Sequence, residues 1–237
     1  PVPVSGLTGV SSIAGSAGIG LHSLAIKSDK TLWAWGENAS GRLGDGTTTD
    51  RKTPVQVLTG VAAASGGGQH SIAVKSDGTV WTWGDNTYGQ LGLGSLTPAS
   101  TNRPVQVAGI TAAMDVAAGY RYNLVLLSNG TVRAWGVNAN GQIGNGSTTN
   151  VLSPVAVSGL SGMVEVMAGT SHSLALKNDG TGWGWGANGQ GQLGDGSITQ
   201  RTTPVQVSGT NFWKGLGAGG SHSLAESSTD QSAWAWG

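Results

Sequence analysis

The chain has 237 residues, with Lys plus Arg and Asp plus Glu both at 12, so its formal charge is zero. Charged residues make up only 10%, far below the roughly 25% of an average domain, and no basic cluster is present, which argues against nucleic acid as a partner. Without any Cys, disulfides, thiolate catalysis and Cys-held zinc are excluded, and no apolar run reaches the roughly 18 residues of a membrane-spanning helix.

Pro1–Val4 reads as a short strand opening the chain. A longer unit follows. His22–Lys27 alternates with the period of two of a strand, residues 28–31 (Ser-Asp-Lys-Thr) form a tight turn, and Leu32–Gly36 returns as the partner strand. The later turns, at residues 76–79, 128–131 and 178–181, carry Gly78, Gly130 and Gly180 where this one has Lys30. A side chain held at positive φ there costs roughly 1 kcal/mol. Gly41–Gly46 is a compact glycine loop, with Leu43 predicted to plug into the blade. Pro54–Val57 is a strand that Pro can begin, because no ladder donor is needed at its first residue.

The same order recurs. Trp35, Trp83, Trp135, Trp185 and Trp236 stand about 50 residues apart, as do Pro54, Pro104, Pro154 and Pro204, and Leu91, Ile143 and Leu193 repeat Leu43. A unit of three or four short strands with no helical stretch predicts an all-β propeller of about five blades. The units lie near 10–57, 61–107, 112–157, 163–207 and 212–237, in a single domain. The last unit stops at Gly237, before any glycine loop, while residues 1–4 match Pro154–Val157. Strand 1–4 is therefore expected to complete the last blade and close the ring. The same strand could instead complete a blade of a neighbouring chain and build an oligomer or fibre.

These units, with their His-Ser-Leu-Ala-Leu-Lys, Asp-Gly-Thr, Trp-x-Trp-Gly and Gly-Gln-Leu-Gly runs, resemble the regulator-of-chromosome-condensation repeat family over essentially the whole chain. The resemblance implies four-stranded blades around a central axis, usually seven of them. Five visible units fit either a smaller ring or part of a larger one, and the matching ends favour the smaller ring. It further implies binding through one ring of loops. The acidic residues and inserted wedge of the family's nucleotide-exchange members are not found.

His22, His70, Asn123, His172 and His222 are read as one repeated register with a structural role, one per blade, and not as a metal set. The first Trp of each pair is expected to be the more exposed. Asp45, Asn145 and Asp195 are read as turn caps. No nucleophile, acid–base pair or metal set stands out, so neither an enzyme nor a cofactor is expected. Symmetry breaks most in the third unit, where Tyr120, Arg121 and Tyr122, with Arg133, bring together residue types favoured at contact hot spots. Trp213, within residues 211–214, falls outside the repeated Trp places and is a second candidate. The reading is a non-catalytic scaffold whose loops recognise a protein, with a glycan as the other possibility, working as a monomer or a strand-exchanged oligomer. The alternative is an assembly protein linked by its terminal strands. The start at Pro1, without Met, suggests a processed N-terminus and a secreted or cell-surface setting.

Overall fold

In the computed structural model, residues 2–18, 20–209 and 212–237 are described, and they form five antiparallel sheets without a helix. The first contains β1 (Val10–Gly15), β2 (His22–Lys27), β3 (Leu32–Gly36) and β4 (Arg51–Leu58). The second contains β5 (Val61–Gly66), β6 (His70–Lys75), β7 (Val80–Asp85) and β8 (Ser100–Gln106). The third contains β9 (Ala113–Ala118), β10 (Tyr122–Leu127), β11 (Val132–Gly136) and β12 (Val151–Ala156). The fourth contains β13 (Met163–Ala168), β14 (His172–Lys177), β15 (Gly182–Gly186) and β16 (Arg201–Gln206). The fifth contains β17 (Trp213–Ala218), β18 (Ser223–Ser227) and β19 (Ala233–Trp236). Within each sheet the strands run in chain order. The ends of β1, β5, β9, β13 and β17 line one central channel, a cavity of about 380 Å³, so the first strand of every blade is innermost.

Local chemistry sets each hairpin. Asp29 Oδ1 accepts from both the amide and the hydroxyl of Thr31, which closes the β2–β3 turn. Lys30 holds φ 65°, the conformation that Gly78, Gly130 and Gly180 take in the later blades. The outer strands begin earlier than expected. β4 starts at Arg51 and contains Pro54, which sits at the register shift between Ala34 and Gly36. An outer edge strand tolerates Pro there because its missing N–H faces away from the ladder.

Blades adhere through four apolar cores. Between the first and second, Leu24, Leu32, Ala34 and Leu43 pack against Val61, Ala73 and Trp83. Leu43, Leu91, Ile143 and Leu193 are all fully buried, as loop plugs should be. A buried Asn anchors each loop: Asn38 donates to the carbonyls of Thr47 and Thr49 and accepts from the Leu43 amide, and Asn138 and Asn188 repeat the pattern.

The expected closure of the ring is not what the structure shows. Among the described residues the fifth sheet has three strands, and residues 2–4 belong to none. Pro1 lies outside the described residues. The four cores join consecutive blades, and among the described residues none joins the fifth to the first. Ile13 of the first blade is 78% exposed, where Val116 and Val166, in the same place, are 6% and 3%. Leu224 of the fifth is 49% exposed, where Leu24 and Leu174 are at most 1%. The five blades form an open arc, because a strand match at the termini does not set the angle between blades.

Candidate functional site

Each blade is latched to the next by one polar relay at the end of its second strand. His22 opposes Gly36, His70 opposes Gly84 and His172 opposes Gly186. In the third blade Tyr122 opposes Gly136. Tyr122, not Asn123, therefore occupies the histidine place. Asn123 stands instead with Ser71, Ser173 and Ser223, one residue later. The one-residue shift moves Asn123 to the other side of the strand.

His22 Nε2–H donates to Ser71 Oγ of the second blade at 2.8 Å, and Ser71 donates back to the carbonyl of Arg42 in the first. His70 Nε2–H donates to Asn123 Oδ1 at 2.9 Å, and Asn123 Nδ2 returns to the Gln90 carbonyl. The Tyr122 hydroxyl donates to the carbonyl of His172, and Ser173 donates to the Tyr122 hydroxyl and to the Gln142 carbonyl. His172 Nε2–H and Ser223 continue the relay to the Gln192 carbonyl. Trp135, Trp185 and Trp236 each donate Nε1–H to the same carbonyls, of Gln90, Gln142 and Gln192.

Nδ1 of His22, His70 and His172 is buried without a partner. An added proton there would find no acceptor, so burial drives these imidazoles to the neutral form. Burial, then the Arg42 charge, lowers His22 to about 3. Burial lowers His70 and His172 to about 4. Burial likewise pushes the Tyr122 phenol up. His222 ends the series on the exposed face of the fifth blade.

These latches join the blades and present no contact surface. Tyr122, expected in the contact patch, is fully buried in its latch and offers no surface to a partner. Trp213, the second expected contact residue, is buried too: it is 5% exposed and packs against Trp234 and Trp236, with ring centroids at 5.9 and 6.0 Å. The fifth blade begins at Trp213, and its core uses the ring. Asn211, from the same stretch, lies outside the described residues. Arg133 is half-buried on β11 in the place of the first Trp, opposite Ala156, and four strand residues, roughly 13 Å, separate it from the carbonyl of Arg121 that receives the Val137 amide.

Tyr120 and Arg121 do come together, with a third residue. The Arg121 guanidinium lies 4.5 Å from the ring centroid of Tyr88 and 4.9 Å from that of Tyr120, in cation–π contact with both. Tyr88 comes from the glycine loop of the second blade and is 36% exposed. The Tyr120 carbonyl accepts from the Gly68 amide of the second blade, and its ring covers Gly68 so closely that a Cβ there would stand 2.3 Å away. Gly18 of the first blade also faces that ring, with 3.1 Å to a Cβ. The loops of three blades thus meet beside Gly18, which lines the central channel. Arg42, where later loops carry Gln90, Gln142 and Gln192, lies just beneath: its guanidinium is buried, pairs with Glu37 at 2.7 Å and reaches the Gly68 carbonyl at 3.4 Å. Sequence reasoning missed Tyr88 and Arg42. The available signal was a lone aromatic where the other loops have Ser40, Asn140 and Gln190, and a lone cation among glutamines.

The first Trp is the more exposed of its pair in the second, fourth and fifth blades, whereas Trp33 and Trp35 of the first are both half-buried, and Trp33, Trp81 and Trp183 donate Nε1–H to a turn threonine. Asp45 and Asp195 cap their turns through Thr47 and Ser197 and pair with Arg51 and Arg201. Among the described residues no group of three or more His, Cys, Asp or Glu converges as a metal site would require.

The sequence model of the Regulator of chromosome condensation (RCC1) repeat matches residues 29–74, 77–126, 129–176 and 179–225, most of the chain. The chain belongs to this repeat family. A second model of the RCC1 repeat matches 61–90, 115–142 and 164–192. Among curated proteins, the human E3 ubiquitin-protein ligase HERC2 is 31% identical over 134 residues, 55% of this chain but only 3% of that protein. Among solved structures, human WBSCR16 superposes with a TM-score of 0.84 at 24% identity, covering 95% of this chain and 60% of that one. Prp20p from Saccharomyces cerevisiae superposes at 0.80 and 22% identity, covering 92% and 56%. The RCC1-type propeller fold is thereby shown, and this chain spans little more than half of those propellers. Yeast Prp20p binds Gsp1p and histones, and Kap60 binds it.

Proposed function

We propose that this chain is a rigid RCC1-repeat scaffold that binds a protein partner at the loop surface formed by Tyr88, Tyr120 and Arg121. The observation that carries the reading is the contact of the Arg121 guanidinium with the rings of both Tyr88 and Tyr120. Two aromatic rings pack against the guanidinium, so its position is restrained before a partner arrives, and the ordering cost on binding falls. Tyr and Arg are the side chains that concentrate binding energy at protein interfaces. The repeated framework beneath is held by buried latches, and the variation collects on this one loop surface. A carboxylate on the partner would pair with the guanidinium while apolar groups cover the rings. Protein binding by related propellers, named for yeast Prp20p, fits this reading.

The test is a selection of binders from a random peptide display against the full chain, followed by affinity measurements on Tyr120→Ala, Arg121→Ala and, as a distant control, Arg133→Ala. Losses of about tenfold or more at 120 and 121, in line with hot-spot truncation above ~1.4 kcal/mol, with no loss at 133, are expected. Selected binders indifferent to both loop substitutions would overturn the assignment.

A further inference from the structure

In the glycine loops of the second, third and fourth blades a glutamine caps the loop. Gln90, Gln142 and Gln192 accept through Oε1 from the amides of Tyr88, Asn140 and Gln190, each at 2.9 Å. The first blade carries Arg42 in that place. A guanidinium has no acceptor, so this loop gives up the cap and gains a charge. The Arg42 side chain is 2% exposed, and a cation at that depth is destabilising unless it is paired. Its partner Glu37 stands where the later blades have Asp85, Val137 and Ala187. Arg42 and Glu37 therefore break the repeat together, as an added pair, beside the surface that holds Tyr88, Tyr120 and Arg121.

The pair is lopsided. The Glu37 side chain is 36% exposed against 2% for Arg42, so the carboxylate can turn out into water and the guanidinium cannot. Nor does Glu37 use up Arg42. Among the described residues Nη1 alone is bonded, to Glu37 and to the Gly68 carbonyl, while Nε is buried without a partner. The Arg42 charge still acts inward, where it helps burial to hold His22 neutral. Arg121 is in the same condition. Its Nε is buried without a partner, and among the described residues its side chain pairs with no carboxylate. Asp85, from the loop of Tyr88, is taken up by Thr87 and Gln90. Gly68 links the two arginines' surroundings: its amide donates to the Tyr120 carbonyl and its own carbonyl faces Arg42.

We infer that the partner taken by this surface presents an acidic segment, and that Glu37 is a built-in competitor for it: one partner carboxylate pairs with Arg121 while a second displaces Glu37 from Arg42. The inference rests on the loop-binding reading and gives the chemistry of that partner. Arg42 cannot follow Glu37 into water, so the exchange keeps the buried charge paired throughout. Glu37 recovers its hydration, and the incoming carboxylate gains a charge-assisted hydrogen bond. A neutral or basic segment has nothing to offer Arg42 in place of Glu37, so the same carboxylate acts against wrong partners.

The probes are peptides selected from a random display against the full chain. Their affinities are measured for the natural chain and for full-length Arg42→Gln, Glu37→Gln, Lys52→Gln and Tyr120→Ala. Arg42→Gln restores the residue and the loop cap of the other blades, so it is expected to fold, with the urea midpoint as the check. Lys52→Gln removes an exposed charge on the outer strand β4 and controls for net charge. The expected result is a selected pool rich in Asp and Glu, bound about tenfold more weakly by Arg42→Gln and several-fold more tightly by Glu37→Gln, with Lys52→Gln unchanged. Replacing the acidic residues of a peptide by their amides should erase the difference between the natural chain and Arg42→Gln. A pool without acidic enrichment, or acidic binders whose affinity either Arg42→Gln or Glu37→Gln leaves unchanged, would sink the inference, while a loss with Tyr120→Ala keeps the loop-binding reading standing. Binders indifferent to Tyr120→Ala would remove that reading and this inference with it.

Discussion

Acidification from pH 7.5 to 5.0 should weaken this fold through its inter-blade histidines. Their imidazoles fall from 6.5 to about 3 at His22 and about 4 at His70 and His172. A histidine depressed in the folded chain stabilises fully above its unfolded pKa, and that stabilisation is lost as pH falls toward the folded pKa. In the window from about 6.5 down to about 4 the unfolded chain binds more protons, so stability drops with pH. At pH 5.0 each unfolded histidine has bound its proton while each folded one remains neutral. The linkage relation then assigns a loss of about 2 kcal/mol per latch, of order 6 kcal/mol for three. Total stabilities are typically about 5–15 kcal/mol, so the effect should dominate. Asp115 and Glu165 act in the opposite sense near pH 5, because burial raises both carboxyls and the folded chain takes up their protons first. The histidine part is therefore read by difference. His172→Tyr imitates the third blade, where Tyr122 also meets a serine of the next blade. Urea unfolding followed by Trp fluorescence at both pH values should show the variant losing about 2 kcal/mol less than the natural chain. Equal losses in both would refute the buried neutral latch.

Two further outcomes follow from the same geometry. In Gly169→Ala the new Cβ would stand 2.3 Å from the His172 ring and 2.6 Å from the Gly219 carbonyl of the next blade, so one latch should be expelled, with a fall of about 3 kcal/mol or more in unfolding free energy. A change below about 1 kcal/mol would show that the ring moves freely. Lys30→Gly relieves a side chain at φ 65° and should raise the urea midpoint by the equivalent of about 1 kcal/mol, whereas Gly78→Lys, the reverse change in the second blade, should lower it.

The blade itself was legible in the sequence because its determinants are local. Alternation along His172–Lys177, the turn glycines Gly78, Gly130 and Gly180 and the aliphatic plug of each loop are consequences of backbone sterics and strand periodicity, and the structure reproduces them. Tyr120 and Arg121 were legible as a break in the repeat. Their partner Tyr88 was not, because it lies over thirty residues away in the preceding blade and joins them only when adjacent loops meet. Tyr122 and Asn123 exchanged roles for a related reason. Neighbouring polar residues on a strand differ by which side they face, and only the partner blade, with the Gln90 carbonyl and His70 on one side and His172 and Ser173 on the other, decides which side each needs.

Closure was the largest divergence. The sequence determined that residues 1–4 have the chemistry of an outer strand, since that rests on two valines and two prolines in alternation. Where such a strand can bind depends on the angle between successive blades. That angle is set by how Trp83, Trp135 and Trp185 fill the space between sheets, a property of packed volumes, and it leaves Ile13 and Leu224 uncovered at the two ends of the arc.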